Sequence, residues 1–74
     1  MFSNSDLASE VYDSLLEARK TLANSVASIK GRCSDEEYRH YRKLIGDALG
    51  LLITDGMDVI LDRHPELKKK YEGQ

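Results

Sequence analysis

The longest apolar stretch of the chain runs from Leu44 to Leu61, LIGDALGLLITDGMDVIL. Wound at about 100° per residue, it places Tyr38, Tyr41, Ile45, Ala48, Leu49, Leu52, Gly56, Val59 and Ile60 on one face, at the spacing of a packing seam. Leu44 and Leu51 fall on one flank, and Gly46, Gly50, Ile53, Met57 and Leu61 fall on the other. Between Leu44 and Ile53 the only charged residue is Asp47. A helix that is apolar over most of its circumference belongs in a core larger than a single neighbour supplies.

The first half of the chain is patterned differently. Leu7, Val11, Leu15, Ala18, Leu22, Val26 and Ile29 recur at spacings of three and four residues, a repeat near the eleven-residue pattern that keeps a stripe in line along a straight helix. Asp13, Glu17, Lys20 and Asn24 occupy the other side, so this stripe is narrow. Asn4 or Ser5 caps the start, after a frayed Met1 to Asn4, and Asp6 complements the helix dipole. Gly31 suits the left-handed residue that ends a helix. Ser34 with Glu37 matches a capping box that begins the next one. His64 precedes Pro65 and is pushed out of helical geometry.

These signals predict an all-α chain in a single domain, an antiparallel two-helix hairpin with a short C-terminal helical turn. Helix 1 spans about 5–30, the turn 31–34, helix 2 about 35–63 and the last segment 65–72. Gly46, Gly50 and Gly56 each disfavour helix by about 1 kcal/mol relative to alanine, which points to close backbone approach in the buried segment.

Seventy-four residues lie below the size at which one core is comfortably stable, and small chains usually need a staple. Cys33 is the only cysteine, so there is no disulfide framework, and a lone thiol fits a reducing compartment. No metal or cofactor is expected. Self-association remains as the staple. Two hairpins, each turning helix 2 inward, make a four-helix bundle, with Ile45, Gly46, Ala48, Leu49, Gly50, Leu52, Gly56, Val59 and Ile60 as the self-association set. Basic residues gather near the turn (Lys30, Arg32, Arg39, Arg42, Lys43), and acidic ones at the open end (Asp6, Glu10, Asp13, Asp55, Asp58, Asp62). An antiparallel homodimer places opposite charges side by side, with a gain that salt screens.

Thirteen acidic against eleven basic residues exert no global pull toward nucleic acid or anionic membrane. The N-terminus lacks the basic and apolar regions of a signal peptide, and Asp47, Asp55 and Asp58 break the longest candidate span. The expected location is the cytoplasm. Asp55, Asp58 and Asp62, with His64 nearby, line one side of helix 2, but a bundle metal site draws ligands from several helices. His40, His64 and Cys33 show no partner spacing suited to nucleophilic catalysis, so no enzyme activity is expected. The expected function is a non-enzymatic oligomerisation or protein-binding module (an adaptor, chaperone-like or regulatory subunit), binding partners through Ile53, Met57 and Leu61. The alternative is an RNA- or DNA-associated regulator. There Arg32, Arg39, Arg42 and Lys43, interleaved with Tyr38 and Tyr41, contact phosphate and bases.

Overall fold

The computed structural model of the chain describes residues 2–71. Met1 and Glu72, expected at the frayed start and the end of the last segment, lie outside the described residues. Among the described residues every regular element is helical. Helix α1 runs Ser5–Ile29 and helix α2 runs Asp35–Leu51. A π-helical stretch, Leu52–Met57, joins α2 to α3, Asp58–Arg63, and α4 follows at Glu66–Tyr71.

The hairpin is built from its caps inward. The Asn4 side chain accepts from the Leu7 amide at 2.9 Å, starting α1. Gly31 takes φ +80°, which a side chain would resist, and lets the chain reverse. Ser34 Oγ then accepts from the Glu37 amide at 3.1 Å, while Glu37 Oε1 accepts from the Ser34 amide at 2.9 Å. Two amides that would otherwise be orphaned are satisfied reciprocally. These bonds hold the Glu37 carboxyl below its usual range, the backbone bond from Ser34 being the main cause. A group whose folded pKa is depressed stabilises above its unfolded pKa, and that stability is lost as acid is added. Glu37→Gln is therefore expected to flatten the loss of helicity below about pH 4.5, measured by circular dichroism. An unchanged acid limb would detach the cap from the titration.

The second helix departs from the sequence expectation at its centre. The Asp58 amide bonds to the Ile53 carbonyl, five residues back, so one additional residue is accommodated in the turn. Ile53, Thr54 and Gly56 are weak helix formers, and they lie where the ladder widens. Everything beyond is rotated back by about 100° relative to an unbroken α-helix. Met57, expected on a free flank, is turned inward and is 4 % exposed. Val59, expected on the inner seam, is turned outward and is 38 % exposed. Ile60 remains inside and is fully buried.

The core lies at the open end of the hairpin. Ala8 and Tyr12 from α1 meet Met57 and Ile60, and Leu67 and Tyr71 from α4 close over them. No residue between Tyr12 and Ile45 is fully sheltered. The Tyr12 and Tyr71 rings tilt together with centroids 4.2 Å apart. The Tyr71 hydroxyl donates to Asp13 and lies 3.3 Å from Ser9 Oγ. Lys70 Nζ donates to Ser9 Oγ at 2.9 Å. Burial pushes the Tyr12 hydroxyl pKa up.

The glycines divide. A Cβ on Gly56 would meet Leu15 Cδ1 at 3.1 Å, so this residue does mark a close approach of the two long helices. A Cβ on Gly46 or Gly50 would meet nothing within 4 Å, so close packing inside the chain does not account for them. Gly50→Ala is accordingly expected to raise stability by about 0.5–1 kcal/mol through reduced backbone freedom, read from a denaturant melt. A loss instead would mean that this position is occluded.

Candidate interaction face

Helix α4 lies against only one side of the hairpin. Tyr71 reaches Ser9 and Asp13 of α1, and Leu61, Lys68, Tyr12 and Tyr71 border one shallow depression. Further along the same side, a groove of about 520 Å³ is lined by Arg19, Lys20, Ala23, Asn24, Leu49 and Ile53. Its apolar floor is rimmed by charged and amide side chains. Leu61 is half-buried beneath α4, while Ile53 and Leu61 both pack against the core. Of the three residues expected to bind a partner, Met57 is thus consumed by the chain's own core, and the other two are partly covered.

The opposite side has no such cover. Exposed Leu7, with half-buried Ala18 and Leu22, lines that flank of α1, turned away from Ser9, Asp13, Lys20 and Asn24 by the helical period, while Val11 beside them packs against the core. Across the hairpin, Leu44, Ala48 and Leu51 follow on α2, and the π turn brings Val59 into the same line. Among the described residues the large hydrophobics with high exposure are Leu7 at 44 %, Leu44 at 56 %, Leu51 at 64 % and Val59 at 38 %. All four belong to this one face. Isolated exposed hydrophobics are ordinary on any protein, whereas a contiguous apolar patch marks an interaction surface.

The overall dimensions agree. The Cα radius of gyration is 14.8 Å, against about 11 Å for a compact domain of this length. The accessible surface is 5353 Å², against about 4,600 Å² for a monomeric protein of this mass. The hairpin exposes more surface than its size requires.

The remaining candidate residues are dispersed. Within the self-association set, Ile45 is buried, Ala48, Leu49 and Leu52 are half-buried, and Gly46 and Gly50 are open. Arg32, Arg39, Arg42 and Lys43 are all exposed. Arg32 Nη1 donates to the Ser28 carbonyl at 3.2 Å, and Lys43 pairs with Asp47 at 3.0 Å. Tyr38 and Tyr41 are half-buried, and the Tyr41 hydroxyl lies 2.8 Å from Ser25 Oγ. The aromatic rings thus belong to the hairpin and do not form a stacking platform between the cations. Cys33 is half-buried, its Sγ 3.6 Å from the Ile29 carbonyl. Among the described residues no group of three or more histidine, cysteine or acidic side chains could hold a metal ion.

His64 is buried and structural in its contacts. Its Nε2 lies 2.7 Å from the Phe2 carbonyl, and because a carbonyl only accepts, Nε2 carries a proton. Arg63 Nε donates to the same carbonyl at 3.1 Å. Glu66 Oε1 accepts from Ser5 Oγ at 2.8 Å and lies 3.3 Å from His64 Nδ1. These contacts, with its own backbone amide as the main cause, hold the Glu66 carboxyl below the usual range. The cluster fastens the chain's beginning to the corner between α3 and α4. Serine and histidine both bond to the glutamate and not to each other, so no nucleophile is activated.

Sequence reasoning put Leu44 and Leu51 on a common flank but could not add Val59, which an unbroken helix places elsewhere. The signal present was the pair of leucines seven residues apart with Ala48 between them. Among the described residues no helix is long and apolar enough to cross a membrane. Comparison with known protein families, with characterised proteins and with solved structures found no match.

Proposed function

We propose that the chain is a non-enzymatic helical module that works by presenting one apolar face to another helical protein surface. The observation carrying this reading is the gathering of Leu7, Leu44, Leu51 and Val59 on the side that α4 leaves uncovered. Fully burying a leucine or valine side chain is worth about 1.5–3 kcal/mol, so three or four such anchors suffice for association once entropy is met. Recognition of this kind lays apolar positions of one helix into the surface of another. The nucleic-acid reading is weaker, because Tyr38 and Tyr41 are turned into the hairpin. The lone thiol of Cys33 suits work in a reducing compartment such as the cytoplasm.

The test is site-directed photo-crosslinking in the native host. A photoreactive residue at position 44, 51 or 59 is expected to give protein adducts, and one at position 46 or 50, on the other flank, is expected to give few. Equal yields from both flanks, or none from 44, 51 and 59, would remove the reading.

A further inference from the structure

The apolar line along the second half of the hairpin has an internal symmetry. Leu44, Leu51 and Val59 are large, exposed and centred on Leu51. In sequence their spacings are seven and eight. The π turn absorbs one residue between Leu51 and Val59, so in space the two intervals become equal, the heptad of a coiled-coil seam. A two-fold interface requires a patch that is complementary to itself when reversed, with residue i meeting j and j meeting i. This line meets that requirement.

We infer that the face is covered by a second copy of this chain, running antiparallel, with the two-fold axis passing beside Leu51. Leu44 of one copy then meets Val59 of the other, and the two Leu51 side chains meet at the axis. The inference rests on the protein-binding reading above and names its partner. Ala48, half-buried on the same flank, lets the backbones draw together, as small positions along a helix do elsewhere.

Charge favours the same direction. Lys43 precedes the axis and Asp62 follows it, on a common flank of the line by the helical period. An antiparallel copy lays Lys43 near the partner's Asp62, whereas a parallel copy stacks like on like. Asp47, which would approach Asp55 of the other copy, is already paired with Lys43 at 3.0 Å. The side bearing α4 has no comparable symmetry, and its groove is rimmed by Arg19 and Lys20 in both copies.

Sedimentation equilibrium of the full chain is expected to give twice the chain mass at micromolar concentration. Leu51→Glu is expected to raise the dissociation constant at least 100-fold with helicity retained, and Gly50→Glu, on the other flank, to leave it within threefold. Direction is read by mixing Leu44→Cys and Val59→Cys chains, both in a Cys33→Ser background, with oxidised glutathione as the oxidant. The mixed 44–59 disulfide is expected to dominate. A monomer at 100 μM, dominance of either homodisulfide, or equal loss of affinity from Gly50→Glu overturns the inference. Should Leu51→Glu unfold the chain, the disulfide mixture decides alone. A monomeric chain that still yields crosslinks to other proteins from positions 44, 51 and 59 overturns the second copy as occupant and leaves the protein-binding reading standing. Absence of those crosslinks removes both.

Discussion

Ile60→Ala is expected to lower stability by about 2–5 kcal/mol, the cost of removing a buried branched side chain and leaving a cavity. Ile60 is the largest side chain that is completely enclosed. It stands where α1, α3 and α4 converge, among Ala8, Tyr12, Met57, Leu67 and Tyr71. In a domain of this size each kilocalorie moves the melting temperature by about 4–8 °C, so a fall of at least about 10 °C is expected. The comparison must be made at one chain concentration, because association shifts apparent stability by mass action. A fall under about 2 °C would mean that the core does not lie at the open end.

The second large effect concerns the π turn. Deleting the exposed Thr54 removes the extra residue and lets the ladder close into ordinary α-helix. The rotation of everything downstream is then unchanged, so Met57, Ile60 and His64 still face inward. The deletion is expected to leave the melting temperature within about 5 °C, roughly 1 kcal/mol. Inserting one alanine after Asp58 has the opposite outcome. It turns Ile60 and His64 by about 100° out of the core, and a loss like that of Ile60→Ala, or greater, is expected. If the deletion is as damaging as the insertion, then the π turn does not set the register.

These two experiments also mark where the sequence was legible. The caps and the reversal were written locally: Asn4 before α1, Gly31 after it, and the Ser34–Glu37 box each act within a few residues. The all-α hairpin follows from those signals and from the three-and-four spacing of its hydrophobics. The register of the last third was not legible. An α-helix and an α-helix with one wide turn have the same residues in the same order, and they differ only in the backbone bonding of Leu52–Met57, which ends with the Asp58 amide on the Ile53 carbonyl. That turn exchanges Met57 with Val59. It moved the candidate face from Ile53, Met57 and Leu61 to Leu44, Leu51 and Val59. The glycines misled for a related reason. Gly46 and Gly50 match a packing motif, yet the motif does not say which flank meets a neighbour, and theirs is open. The role of α4 was equally hidden, since Leu67 and Tyr71 are too few and too close together to show a period.

The position of the core has a consequence for biogenesis. Its members are far apart in sequence, Ala8 and Tyr12 in α1 and Leu67 and Tyr71 in α4, and His64 and Glu66 grip Phe2 and Ser5 across the same gap. Contacts so remote in sequence close a long loop before any reward arrives. While the chain is still being synthesised, α1 emerges well before Leu67 and Tyr71, and the hydrophobic nucleus assembles only after α4 has left the ribosome. Products stalled or terminated before α4 are left without that nucleus and are the natural prey of quality-control proteases.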